Sequence, residues 1–568
     1  MLRMRLVGEQ SRTKQRISTV DCLSSLWLVY AMFDYLITNV SVLDGLGGPA
    51  FNANIAISAG KIAAIGNVNG RAKRIIDGDG LVAAPGFIDI HSHTDAGLLI
   101  DPTAQSKLTQ GITLEVCGNC GFSPAPCLDD ASRSELDNWR ERHGIEENWR
   151  TTAEFLSVLE SRPVGVNFVT LVGHSNLRAA SVGLADKEAT PEDIEKIKLL
   201  AAEAMREGAF GLSTGLQYPP SCFGSTEEIV QVASAVAPFG GIYSSHIRDE
   251  SNALAEAVEE AIEIGRRGGV PVQISHLKGY GNDSPEKTCA VLEMIEDARR
   301  SGLDVTADQY PYTASSTGLS VFLPKWVHDG GDEAMLGRLR THRRELIEYL
   351  EYLRNKKRRV ADAGLWESVR ISSVKSEANR QYEGMSVVGI SRVRNASPEE
   401  TVLDLLYEED GAVSIVHFSQ WEGDVVAVMR SEFAMFGTDA SARSTTGELS
   451  KGKPHPRSFG SFPRVLGRYV REQGVIPLEK AIRKMTSMPA RKLGLVDRGV
   501  LREGNWADVT VFDPDEVIDT ATYEHPHQLA KGIAFVFING QLAVENGELT
   551  GVLAGRVLRR NSAASRRV

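Results

Sequence analysis

The run Pro85-Gly86-Phe87-Ile88-Asp89-Ile90-His91-Ser92-His93-Thr94-Asp95 decides how the rest of the chain is read. It is an apolar segment entered through Pro-Gly and left through two histidines one residue apart. In a strand, residues i and i+2 share a face, so His91 and His93 are expected to point together into one space, as metal ligands do. A hydrogen-bonded histidine pair at a strand end would look the same locally. The polar residues at later strand ends must separate the two readings.

Outward from this run the pattern repeats. Candidate strands are 87–91, 113–117, 167–172, 209–213, 241–245, 271–275, 304–308, 412–417 and 434–438, with helical patterns between them. Pro191–Glu207, opened by Thr190 and stopped by Gly208, and 253–267, ahead of Gly268-Gly269, carry recognisable helix ends. Such alternation is the form of parallel βα units and predicts an α/β fold, a (β/α)₈ TIM-like barrel over 86–499. Nine candidates are one more than a closed barrel needs; 412–417 or another member is the suspected surplus.

The flanks read differently. Residues 33–85 are short strands punctuated by glycine, and the texture returns over 500–558, where Asn539-Gly540 is a hairpin turn. The two ends are expected to build one small β domain together. Residues 1–32 read as an N-terminal extension whose short apolar run lacks the features of an export signal, so a cytoplasmic protein is expected; 559–568 is a Ser/Arg tail. The stretch 320–400 breaks the rhythm, with a charged helical pattern over 338–359. An insertion there would lie over the C-terminal mouth of the barrel like a lid.

Composition narrows the function classes. The chain has 568 residues, 42% hydrophobic and 24% charged, enough to bury a large core in more than one structural unit. A net charge of -11 leaves no basic footprint for nucleic acid or an anionic membrane surface. No apolar run reaches 18 residues, so no transmembrane helix is expected. Six cysteines in so long a chain do not make a disulfide framework, and each is weighed as a ligand instead.

In a parallel barrel the C-terminal strand ends converge on one face. There Cys120, His246, His276 and Asp439 would join His91 and His93. Imidazole and thiolate suit Zn²⁺, and a carboxylate left beside the metal is the natural proton carrier. Each residue has a plainer reading. Cys117-x-x-Cys120 resembles a redox pair, but that motif opens a helix in a much smaller domain. Asp439 alone could cap the turn into Ala440-Ser441, and His174 at its strand end reads as a structural or pocket-shaping residue. Five ligands and one carboxylate, in order and at strand ends, outweigh the separate readings.

These segments resemble the amidohydrolase superfamily and, within it, the N-acyl-D-amino-acid deacylases (D-aminoacylases). The resemblance is carried by the opening run, Gly118-Asn119-Cys120-Gly121, Gly211-Leu212-Ser213-Thr214-Gly215-Leu216-Gln217-Tyr218-Pro219-Pro220, Ser245-His246-Ile247-Arg248-Asp249-Glu250 and Ser275-His276-Leu277-Lys278. It continues through Asp308-Gln309-Tyr310-Pro311-Tyr312-Thr313-Ala314, Gly437-Thr438-Asp439 and His455-Pro456-Arg457, so that it spans about 33–558. It implies a tightly held zinc on Cys120, His246 and His276, a second, weaker position at His91 and His93, and Asp439 as catalytic carboxylate. Lys278 and Arg457 would hold the amino-acid carboxylate, with Tyr218, Tyr310 and Ser316 lining the pocket. Arg248 and Asp249 would support the ligands from behind. The implied activity is hydrolysis of small N-acyl-D-amino acids, with no nucleic-acid or membrane partner. Two rivals stand beside it: a cyclic-amide hydrolase or isoaspartyl-type dipeptidase, which usually needs a bridging lysine that neither 167–175 nor 209–216 offers, and a non-enzymatic scaffold, which would be expected to have lost ligands. The polar loop 441–453 departs from the family's pattern.

Overall fold

A computed structural model of the chain describes residues 32–280, 284–356 and 364–560. Residues 1–31 of the expected extension and 561–568 of the tail lie outside the described residues, and Met32, assigned to the extension, begins a strand of the small β domain.

Eight parallel strands run through the centre. They are β1 (Phe87–Asp89), β2 (Ile112–Cys117), β3 (Asn167–Thr170, resuming as Val172–Gly173), β4 (Gly211–Gly215), β5 (Ile242–His246), β6 (Val272–Ile274), β7 (Val305–Gln309) and β8 (Ala434–Phe436). Each pairs in parallel with the next. The last returns to the first through a parallel bridge from Ser92 to Ala440, and the Asp439 N–H donates to the His91 carbonyl at 2.8 Å. This is the expected barrel. Its strands are buried along their length, as strands covered on both faces must be. The surrounding helices bury one stripe each: Leu254–Gly268 turns Leu254, Val258, Ala261 and Ile262 inward and ends on left-handed Gly269. Pro191–Glu207 begins with a Thr190 capping box and ends at Gly208. Among the described residues no helix is long and apolar enough to cross a membrane.

The surplus strand is resolved. Ser414–Phe418 lies antiparallel between Ala314–Gly318 and Val369–Ser373, outside the barrel. Its local pattern matches a barrel strand because sheet membership depends on distant partners. The charged stretch is two helices, Asp332–Thr341 and Arg343–Lys356, broken at His342. Met335 and Leu339 from one, and Leu346 and Leu350 from the other, enter the same core with Trp366, Val369 and Leu403. The insertion thus packs around its own apolar centre, and the strand Ala314–Gly318 just ahead of it meets the barrel mouth where Tyr218 Oη lies 3.1 Å from Thr317 Oγ1.

Strands from both chain ends form one nine-stranded sheet. In it Val509–Phe512 lies antiparallel to Val82–Pro85, which runs straight into β1. Asn539 and Gly540 both have positive φ, as the hairpin turn requires. The junction to the barrel needs Gly86, because a Cβ there would fall 2.2 Å from Thr113 Oγ1. Two strands of this sheet, Arg71–Asp77 and Val82–Pro85, carry no alternation that marks them in sequence; the first is a largely exposed strand rich in charge.

Candidate metal centre

All six sequence-predicted donors meet at the C-terminal mouth. Strand β1 ends at Asp89, so His91 and His93 stand just beyond it. They still share a direction, because Ser92 donates its N–H to the Val116 carbonyl on one side and bridges Ala440 on the other, keeping the run extended. Cys120 is delivered by a tight turn in which Gly118 and Gly121 have positive φ. His246 closes β5, and His276 and Asp439 follow β6 and β8.

The donor atoms fall into two groups that share one sulfur: His91, His93, Cys120 and Asp439, and Cys120, His246 and His276, with ligand atoms within 4.8 Å of one another in each. Cys120 Sγ lies 3.3 Å from His91 Nε2 and 3.5 Å from His276 Nε2. Asp439 Oδ1 lies 3.0 Å from His93 Nε2 and 3.5 Å from His91 Nε2. Cys120, His276 and Asp439 all adopt left-handed backbone conformations, which non-glycine residues take at some cost and which cluster at functional sites.

The set fits a divalent cation on two observations. His246 is 3% exposed, yet neither of its ring nitrogens has a hydrogen-bond partner among the described residues, and burial pushes its pKa down, which favours the neutral imidazole with one nitrogen lone pair to offer. Burial also opposes ionisation of Cys120, but the charges of His91 and His276 outweigh it and hold the thiol well below its ordinary range. Burial likewise opposes the charge on Asp439, and Arg457 and His276 overcome it. Two buried anions beside imidazoles are the electrostatic setting of a metal site.

Supporting carboxylates orient the rings. Asp308 Oδ1 takes His91 Nδ1 at 3.0 Å and the backbone N–H of His276 at 2.8 Å, while its Oδ2 accepts from Gln273 at 2.7 Å. Glu250 Oε1 lies 3.1 Å from His276 Nδ1 and pairs with Lys278. These two residues were not singled out from the sequence, although both stand in the quoted segments, one at a strand end and one four residues past His246. Arg248 and Asp249 do not reach the ligands: Arg248 binds Glu260 and two carbonyls, and Asp249 caps Ser251 and Ala253. His174 is held by Ser221 and Glu228, a buried structural arrangement with Arg178.

Of the five expected pocket residues, Tyr218, Lys278 and Arg457 stand against donor residues, and Tyr310 and the Ser316 carbonyl stand against Arg457. The Tyr218 ring lies 4.7 Å from that of His246, tilted 56° to it. Lys278 Nζ lies 2.8 Å from His276 Nδ1, and 5.9 Å from the Tyr310 ring. Arg457 Nη1 is 2.7 Å from Asp439 Oδ2 but off the hydrogen-bond axis; its guanidinium covers the Tyr310 ring at 4.7 Å, and Nη2 reaches the Ser316 carbonyl at 3.4 Å. Gln420 donates to Tyr310 Oη at 2.8 Å.

A family model described as "Amidohydrolase family" matches residues 74–315 and 439–544. A D-aminoacylase of Alcaligenes xylosoxydans xylosoxydans is 36% identical over 94% of this chain and 98% of its own length. A solved D-aminoacylase, described in terms of a binuclear metal centre with one-metal activation and second-metal attenuation, is 35% identical with a TM-score of 0.78 over 93% of this chain and all of its own. The N-acyl-D-glutamate deacylase of Bordetella bronchiseptica, solved with zinc and a phosphonate mimic of the reaction's tetrahedral intermediate, is 31% identical with a TM-score of 0.78 over the same shares. The chain therefore belongs to the amidohydrolase family, in the group of the D-aminoacylases and N-acyl-D-amino-acid deacylases.

Proposed function

We propose that this protein is a zinc-dependent amide hydrolase that removes the acyl group from N-acyl-D-amino acids, giving a carboxylate and a free D-amino acid. The observation that carries the reading is the pair of donor groups sharing Cys120. Cys120, His246 and His276 would hold the tightly bound ion, and His91 and His93 a second, weaker one; the solved D-aminoacylase is described with two metals, one activating and one attenuating, which supports a reading with two positions. When bound, zinc polarises the acyl carbonyl and acidifies the attacking water towards neutrality.

The protein's own groups supply the rest. Asp439 presents Oδ1 to the donor cluster while Oδ2 faces Arg457. Oδ1 is placed to accept the proton of the water and pass it to the departing nitrogen, which must be protonated because an amide anion leaves poorly. Arg457, fixed over the Tyr310 ring and only loosely aligned with Asp439, has donors to offer a substrate carboxylate. Lys278, bound to Glu250, adds a positive charge beside it. Together they would fix the amide over the metal.

The deciding experiment is hydrolysis of a panel of N-acetyl-D- and N-acetyl-L-amino acids by zinc-loaded protein. Turnover of D-substrates is expected, and turnover of L-substrates alone would overturn the assignment. A second measurement checks the support behind His91: Asp308→Asn is expected to weaken metal binding by about 10- to 100-fold, read by chelator competition. Unchanged affinity would remove Asp308 from that role.

A further inference from the structure

We propose that Lys107 is a positioning residue for this chemistry: a buried ammonium that closes the barrel seam and sets Asp439 against the His91–His93 pair. The inference rests on the deacylase reading above and concerns a residue outside the donor set and the pocket.

Lys107 lies on the short helix Gln105–Leu108 between β1 and β2 and is fully buried. Its Nζ is 2.8 Å from Asp89 Oδ2, 3.1 Å from Ser92 Oγ, 2.8 Å from Thr438 Oγ1, 2.7 Å from the Ala440 carbonyl and 3.3 Å from Glu115 Oε2. These acceptors are not scattered. Ser92 separates His91 from His93, Thr438 and Ala440 flank Asp439, and Asp89 ends β1. The carboxylates that balance the ammonium extend the same grip. Asp89 also accepts the Thr438 N–H at 2.8 Å, the Thr438 hydroxyl at 2.6 Å and the His91 N–H at 3.3 Å, and Glu115 accepts the Ser92 and Thr94 hydroxyls. None of the Lys107 hydrogen bonds reaches a neighbour of Cys120, His246 or His276.

The seam needs such a device. Strands β8 and β1 meet through the single Ser92–Ala440 bridge rather than a ladder. Asp439 must also hold a left-handed backbone, φ 49°, that a non-glycine residue keeps only when its surroundings over-determine it. Lys107 binds the residue on each side of it. One ammonium thereby fixes the carboxylate and the histidine pair in a common frame, and leaves the Cys120–His246–His276 group untouched.

Lys107→Met alone would leave two buried carboxylates without their counter-charge and could prevent folding. The test therefore pairs it with Lys107→Met/Glu115→Gln, in which Asp89 retains its three donors from Thr438 and His91, and residue 115 still accepts from Ser92 and Thr94. Zinc-loaded and cobalt-substituted proteins are compared with wild type by steady-state kinetics, metal content, visible absorption and thermal unfolding. The expected result for the folded double variant is a kcat lowered on the order of a hundredfold, the scale on which small misplacements of reacting groups act, with KM little changed. The cobalt absorption is expected to change while metal bound through Cys120 persists. A folded variant with wild-type kcat and cobalt spectrum overturns the proposal. So does a lowered melting temperature with unchanged kcat per folded molecule, or failure of both variants to fold, since each makes Lys107 a purely stabilising residue. Inactivity of the wild type on the whole substrate panel would instead sink the deacylase reading, and the cobalt comparison would still test Lys107.

Discussion

Asp439→Asn is expected to lower kcat by about 10²- to 10⁴-fold, the range of a positioned proton carrier, while zinc remains bound at the Cys120–His246–His276 group. Asparagine keeps the shape of the side chain and one oxygen for Arg457, which lies 2.7 Å away. It cannot take up a proton. Because Asp439 also contributes to the group with His91 and His93, the weaker position is expected to lose occupancy in the same variant. Steady-state rates must accordingly be measured together with metal content. Full activity at normal zinc would remove Asp439 from the mechanism.

Cys120→Ala is expected to have the other large effect, loss of metal and of activity together. Its sulfur is the one donor common to both groups. Losing a residue that merely supports a ligand weakens a metal by about 10- to 100-fold, so loss of the shared ligand is expected to exceed that at both positions. A thiolate there would also attract the cation, since the charges of His91 and His276 hold the Cys120 thiol well below its ordinary range in spite of burial. His93→Ala provides the contrast: it touches one group and is expected to leave zinc at the other. Equal metal loss in the two variants would contradict the division of the cluster around Cys120.

Much of this site was legible in the sequence because each donor stands at a recurring place, the end of a β-rich run. The convergence of those ends follows from barrel topology without knowledge of any contact. His91 and His93 were found by strand alternation, although the strand stops at Asp89 and the extended run persists through hydrogen bonds to Val116 and the bridge to Ala440. The periodicity held where the strand assignment did not. What stayed hidden depends on distant partners. Ser414–Phe418 has the pattern of a barrel strand and pairs elsewhere. Lys107 reads as an ordinary helical lysine, since Asp89 lies 18 residues away and Ala440 333. Asp308 was visible only as a strand end, and its hold on His91 spans 217 residues.

The seam between β8 and β1 also joins the residues of the site that lie furthest apart in the chain. Cys120 and His276 are 156 residues apart, whereas His93 and Asp439 are 346 apart. Loop closure grows more costly with separation, and long-range pairings form late. A chain leaving the ribosome can thus gather Cys120, His246 and His276 while β8 is still unmade. On the assignment proposed above, the donors for one cation would be in the chain before the carboxylate that would use it, because Asp439 arrives only with the last barrel strand.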